Sequence, residues 1–117
     1  MIDGPPAICV HVHEATTDAH LADLLLGIEE EGVPVEVSRH DHLNPLVLAH
    51  DAAVTSRLGI GLGVALDYVV ITTDKLPEHR PYVARHFARG GRADRIVGSN
   101  AARIVKRIPL RDFAPGT

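Results

Sequence analysis

Two β-forming segments that almost adjoin along the chain constrain the fold more than any other feature. IGLGVAL, residues 60–66, and YVVIT, residues 68–72, are rich in apolar and β-branched residues and are separated by Asp67. A parallel pair of strands needs a crossover of a dozen or more residues. These two strands are therefore predicted to pair antiparallel, as a hairpin.

The other segments alternate between strand and helix patterns. Strands are predicted at residues 7–13, 33–38 and 81–87. Helices are predicted from the N-cap Thr17 to Gly32, from Asn44-Pro45 to near Gly59, and over residues 93–108, where Gly98 is unfavourable. This order predicts an α/β fold with three layers, α/β/α, around a mixed five-stranded sheet whose fourth strand is antiparallel.

Length and charge narrow the class of protein. We expect a single domain over residues 1–117, with an ordered core from about residue 6 to about residue 113. The net charge of -3 lacks the basic excess used to bind nucleic acid. The single cysteine, Cys9, and the absence of an apolar run near 20 residues predict a cytoplasmic protein without a membrane partner.

Gly59, Gly61 and Gly63 alternate along the predicted third strand. A dinucleotide-binding loop needs G-x-G-x-x-G between a strand and a helix, whereas strand residues follow here. Residues two apart point to the same face of a strand. The glycines therefore predict a bare strip on which a helix or a partner's backbone packs closely.

Eight histidines raise the question of a metal site, and Cys9, His11 and His13 share one face of the first predicted strand. A structural zinc ion takes four ligands, yet no H-E-x-x-H or paired C-x-x-C pattern occurs. No serine has the glycine neighbours of a nucleophile elbow. A small metal- or nucleotide-binding enzyme stays as an alternative, with little support.

Three consecutive carboxylates, Glu29, Glu30 and Glu31, stand at the predicted C-terminal end of the first helix. That end is partially negative, so acids are unfavourable there. At about 100° per residue, Glu30 points away from the apolar stripe while Glu29 and Glu31 flank it. Two interpretations stay open: a solvated polar face, or a Glu30 that meets a basic patch or a metal ion such as Mg²⁺ outside the domain.

Four segments together resemble the small subunit of diol or glycerol dehydratase reactivase: LLLGIEEEGVP, IGLGVAL, KLP at residues 75–77, and GSNAARIVKRIPLRDF at residues 98–113. The resemblance implies a fold similar to the dehydratase's medium subunit and to anticodon-binding-domain-like folds. It also implies a non-catalytic subunit of an ATP-dependent reactivating chaperone. Its large-subunit partner would have an actin-like ATPase fold and carry the ATP or ADP, in an α2β2 complex.

The resemblance further implies that the complex acts on a coenzyme B12-dependent diol or glycerol dehydratase. The small subunit would exchange with the dehydratase's similar subunit and so release damaged cobalamin. By the same resemblance, Glu30 would reach a Mg²⁺ ion shared with the large subunit, while the isolated chain would bind no cofactor. Glu29 and Glu31 would lie at the same interface with the large subunit and strengthen the local negative field.

Basic residues near the C-terminus are candidate contacts for an acidic partner surface: Arg103, Lys106, Arg107 and Arg111. Basic residues are also favourable at a helix C-terminus without any partner. A structural subunit of the dehydratase itself is a further alternative, because it shares the fold. The sequence leaves open the choice between diol and glycerol dehydratase, the oligomeric state of the isolated chain and association with a bacterial microcompartment.

Overall fold

The computed structural model describes residues 4–112, which form five strands and three helices. In chain order these are β1 (Ile8–His13), α1 (Asp18–Glu30), β2 (Val35–His40), α2 (Pro45–Thr55), β3 (Ile60–Ala65), β4 (Tyr68–Thr73), β5 (Val83–His86) and α3 (Arg92–Lys106). Thr17 and Asn44 cap α1 and α2, as predicted. The expected end of the ordered core, Phe113, lies outside the described residues.

The sheet has the strand order β2-β1-β3-β4-β5. Strand β1 pairs parallel with β2 and β3, whereas β4 pairs antiparallel with β3 and β5. Leu66 and Asp67 alone join β3 to β4, and Leu66 has a positive φ of 55°. The predicted mixed sheet with a reversed fourth strand is confirmed.

The helices cover both faces of the sheet because β2 and β3 lie on opposite sides of β1. The connection through α1 runs to one side of β1, and the connection through α2 runs back across β1 to the other side. Right-handed crossovers to opposite sides of one strand place their helices on opposite faces. Helix α2 packs on β1, β3 and β4, while α3 packs against α1. The predicted three layers are therefore present, with α1 and α3 on one face and α2 on the other.

The glycines of β3 allow α2 to approach the sheet closely. A Cβ atom at Gly61 would lie 2.1 Å from the Ala53 amide nitrogen, and one at Gly63 would lie 2.4 Å from the Ala49 amide nitrogen. The predicted bare strip is thus confirmed at these two positions. Gly59 differs, because it precedes β3 with a φ of 73° and serves a turn.

A second close contact joins α1 and α3 through one glycine from each helix. A Cβ atom at Gly27 would lie 2.0 Å from the Arg95 carbonyl oxygen, and one at Gly98 would lie 2.0 Å from the Leu24 carbonyl oxygen. Glycine at position 98 lowers helix propensity. The contact explains its presence, because any larger residue would push the two helices apart.

Strand β2 begins two residues later than predicted and continues two residues further, from Val35 to His40. Gly32 has a φ of 80°, and Val33 and Pro34 lie between this turn and the strand. The strand continues through polar residues because His40 stays in parallel register with His13 of β1.

Helix α2 ends at Thr55, before the predicted limit near Gly59. Ser56 is extended, and its hydroxyl donates a buried hydrogen bond of 2.6 Å to the Ala7 carbonyl. This hydrogen bond to the segment before β1 holds the chain in place where it turns from α2 towards β3. None of the helices within residues 4–112 is long and apolar enough to cross a membrane.

We predict that Gly98→Ala destabilises the protein, although alanine is the better helix former. Overpacking of this kind costs about 1–3 kcal/mol, whereas helix propensity alone would favour alanine by up to about 1 kcal/mol. Urea unfolding followed by circular dichroism measures the sign. Ala93→Gly, at an exposed position of α3, is the propensity control. A Gly98→Ala variant more stable than the parent would contradict the close helix contact.

Candidate functional site

The three consecutive glutamates, here called the glutamate cluster, lie at the C-terminal end of α1. Glu29 and Glu30 complete the helix, and Glu31 caps it with φ −84° and ψ 0°. The amides of Glu31 and Gly32 donate to the Ile28 and Glu29 carbonyls at 3.1 and 2.9 Å. The last turn of α1 contains no basic residue, so the charge of the cluster is balanced from another element.

Glu31 is the most enclosed member of the cluster, with a side chain 13% exposed. Its carboxylate accepts hydrogen bonds from Ser99 Oγ at 2.6 Å, Arg103 Nε at 2.9 Å and Lys106 Nζ at 3.0 Å. These bonds, the one from Ser99 first, lower the pKa of Glu31 from 4.5 to about 2. All three donors belong to α3, so Glu31 joins the end of α1 to that helix.

Glu30 pairs with Arg95, also on α3. Arg95 Nε donates to Glu30 Oε1 at 2.7 Å, and Arg95 Nη2 donates to Oε2. The hydrogen bond from Arg95 lowers the pKa of Glu30, whose side chain remains 41% exposed. In this chain, then, the cation beside Glu30 comes from the same domain. Glu29 is exposed and forms no ion pair with another residue in 4–112.

The basic residues predicted as partner contacts fall into two groups. Arg103 and Lys106 are engaged by Glu31, with side chains 28% and 37% exposed. Arg107 follows α3 in the left-handed conformation, with φ 58°, and is exposed. Its side chain has no hydrogen bond or ion pair with the described part of the chain. Arg103 and Lys106 therefore stabilise the contact between α1 and α3, whereas Arg107 faces outward.

An open cleft of about 430 Å³ adjoins Glu30, and we call it the arginine cleft. It is lined by Asp23, Glu30, Gly91, Arg92, Arg95 and Arg111. The sequence analysis did not include Asp23, Arg92 or Arg95 in the site. The spacing of Arg92 and Arg95, three residues apart on one helix face, was the available signal, but α1 is brought to them only by the fold.

The cleft offers part of the ligand set for a hard cation. Carboxylate oxygens are the ligands that Mg²⁺ takes in proteins, and Asp23 and Glu30 both face this space. However, Asp23 Oδ2 accepts the Gly91 amide at 2.7 Å, and both oxygens of Glu30 accept from Arg95. Within residues 4–112, no group of three or more His, Cys, Asp or Glu could hold a metal ion. A dication at Glu30 would thus need further ligands from outside and a shift of Arg95.

The face of β1 that carries Cys9, His11 and His13 lies on the same side of the sheet as α2. Cys9 is 5% exposed, and burial raises the pKa of its thiol. His11 stacks with His40 at 4.3 Å between ring centroids, and burial lowers the pKa of His11. His13 Nδ1 accepts the Ala15 amide at 3.3 Å. Packing and local hydrogen bonds therefore account for these side chains.

Comparison with known proteins places the chain in a family. Residues 5–111 match the family model of the dehydratase medium subunit. The propanediol dehydratase-reactivating factor small subunit of Citrobacter freundii is 36% identical over 107 residues, which cover 92% of this chain and 91% of that protein. The chain belongs to the dehydratase-reactivating factor small-subunit family. The diol dehydratase-reactivating factor small subunit of Klebsiella michiganensis is also 36% identical, over 92% of this chain and 86% of its own length.

Solved structures of this small-subunit family share the fold. A chain in the structure of diol dehydratase-reactivating factor complexed with ADP and Mg²⁺ superposes with a TM-score of 0.85 and 35% identity, over 93% of this chain and all of that chain. A chain of glycerol dehydratase reactivase superposes with a TM-score of 0.85 and 28% identity, over 92% and 98%. The resemblance drawn from the sequence motifs is confirmed, as is the similarity to the dehydratase medium subunit.

For this family member we predict that Glu31→Gln lowers the free energy of unfolding by about 1–2 kcal/mol at neutral pH, because two cations of α3 lose their carboxylate. The folded-state pKa is depressed, so the stabilisation is present above about pH 4.5 and is lost as the pH falls towards 2. Urea unfolding at several pH values measures this difference. Glu29→Gln is the control, expected to change stability by less than about 0.5 kcal/mol. An equal effect of both variants at pH 7 would refute the assignment.

Proposed function

We propose that this chain is the non-catalytic small subunit of an ATP-dependent reactivating factor for a coenzyme B12-dependent diol or glycerol dehydratase. The observation that carries the proposal is the agreement in sequence and fold, over nearly the whole chain, with small subunits of such factors. In this function the chain binds a partner, and the nucleotide is bound and hydrolysed on that partner.

The proposed partner is a large subunit with an actin-like ATPase fold, assembled with this chain as α2β2 in the cytoplasm. The client is the dehydratase, whose medium subunit shares the family model with this chain. A shared fold allows the small subunit to take that subunit's place. The exchange loosens the enzyme around a damaged cobalamin, which then leaves.

We assign the metal contact of this interface to Glu30. Glu31 is saturated by three donors from α3, whereas Glu30 faces an open cleft and is held by one side chain. When Mg²⁺ is bound, its positive charge would link the carboxylate of Glu30 to ligands of the large subunit. Arg95 then has to release at least one oxygen of Glu30, because a dication and a guanidinium repel each other.

The other predicted interface residues take two roles in this proposal. Glu29 and Arg107 are exposed, and they contact the partner directly. Arg103 and Lys106 pair with Glu31 and so hold the end of α1 against α3. A rigid helix end presents Glu30 in one position, which favours a defined metal geometry.

A structural subunit of the dehydratase is the second candidate, favoured by the description of the matching family model. The two functions differ in their stable partner. In the first, the purified chain binds an ATPase-fold large subunit. In the second, it copurifies with the catalytic subunit of the dehydratase. An isolated chain that hydrolyses ATP would exclude both and favour a small enzyme.

We predict that Glu30→Gln weakens binding to the purified large subunit in excess Mg²⁺ by at least about tenfold, because a metal ligand is lost. Isothermal titration calorimetry with and without EDTA measures the affinity. The parent chain should lose affinity when the metal is removed, and the variant should be insensitive to it. Glu78→Gln, at an exposed carboxylate outside the glutamate cluster, is the control. If Glu30→Gln binds the large subunit with unchanged affinity, Glu30 does not bind the metal and acts only through its ion pair with Arg95.

A further inference from the structure

The arginine cleft contains two arginines whose side chains form no ion pair, although Arg111 is close enough to Glu30 for their charges to interact. Arg92 and Arg111 line it together with Arg95. Arg95 is paired with Glu30, but the side chains of Arg92 and Arg111 form no hydrogen bond or ion pair with any residue in the range 4–112. Like charges on one concave surface repel each other, so this arrangement favours the entry of an anion.

The position of Arg111 is set by the fold. After α3 the chain turns back, with the Ile108 amide donating to the Arg103 carbonyl at 3.2 Å. Asn100, which is 9% exposed, then holds both polar groups of the Arg111 backbone. Its Oδ1 accepts the Arg111 amide at 2.6 Å, and its Nδ2 donates to the Arg111 carbonyl at 3.0 Å. This two-point clamp fixes the backbone that carries the guanidinium into the cleft.

The opposite wall of the cleft is fixed as well. The Gly91 amide donates to Asp23 of α1 at 2.7 Å, immediately before Arg92 begins α3. The buried carboxylate of Asp94 accepts the amides of Ala88 and Gly90 at 3.0 and 2.7 Å. These hydrogen bonds fix the loop before α3, so the base of the Arg92 side chain has a defined position.

Charge decides what kind of anion suits the cleft. Three arginines against the carboxylates of Asp23 and Glu30 leave one net positive charge. A nucleotide polyphosphate brings several negative charges and would be repelled by the two carboxylates. A single carboxylate matches the remaining charge, and guanidinium groups bind carboxylates with two parallel hydrogen bonds.

The surroundings indicate where that carboxylate comes from. The cleft includes Glu30, which we assign to the interface with the large subunit. The basic residues predicted for that interface, Arg103 and Lys106, are already engaged by Glu31. We propose that Arg92 and Arg111 receive an Asp or Glu side chain from an acidic segment of the large subunit. This inference rests on the function proposed above and names the contact that accompanies the metal at Glu30.

The test compares the affinity of the purified large subunit for the full chain and for four arginine variants at several salt concentrations. Arg92→Gln and Arg111→Gln should each weaken binding by roughly tenfold or more at low salt, and their double variant should show a weaker salt dependence. Arg80→Gln is the control, because Arg80 is exposed and its side chain has no ion pair within the described residues. It should bind like the parent.

Further measurements separate the possible outcomes. Arg111→Lys keeps the charge and should recover much of the affinity, while the unfolding midpoints of all variants should equal that of the parent. If the parent binds and both glutamine variants bind like Arg80→Gln, this inference is wrong and the proposed function stands. If the parent does not bind the large subunit, both fail. If the isolated chain binds ADP and Arg111→Gln abolishes that binding, the cleft binds a phosphate and not an acidic segment.

Discussion

The contact between α1 and α3 is the constraint on which the rest of the site depends. Gly27 and Gly98 bring the two backbones so close that neither position has room for a Cβ atom. At that separation, side chains near the contact on the two helices are within hydrogen-bond distance of each other. Glu30 meets Arg95, and Glu31 meets Ser99, Arg103 and Lys106. A larger residue at the contact would separate all of these pairs together.

This contact also explains how two of the three acids, Glu30 and Glu31, are tolerated at a helix C-terminus. An exposed acid there is disfavoured by about 0.3–1 kcal/mol, whereas a hydrogen bond to a charged group contributes about 1.5–3 kcal/mol. Glu31, with three such donors and little exposure, is therefore favoured where it lies. The cluster needs no partner for its stability. Glu30 differs from Glu31 because it is open to the arginine cleft on one side.

The surface around Glu30 combines charges of both signs in a way that a protein partner can use. The carboxylate of Glu30 suits a shared dication, and the arginines beside it suit an acidic side chain. In the isolated chain Arg95 and Glu30 form an ion pair with each other. A partner that brings both a metal and a carboxylate exchanges one set of ion pairs for another, which favours specific docking over adventitious binding.

The sequence by itself determined the parts of the structure that local patterns encode. The hairpin at Asp67, the caps Thr17 and Asn44, and the close packing at Gly61 and Gly63 follow from spacing and from the conformational limits of those residues. The family was also evident from four local motifs taken together. In each case the residues that carry the signal are neighbours along the chain or along one element.

Only the tertiary structure decided which side chains meet at the site. Arg95 is 65 positions from Glu30, and no periodicity links them. The helical wheel placed Glu30 outward because it considers one helix alone, and α3 then covers part of that outward side. In the same way, the charge pattern marked Arg103 and Lys106 as available, although the fold pairs them with Glu31. Pairings of this kind arise when two helices pack, so they depend on the whole fold.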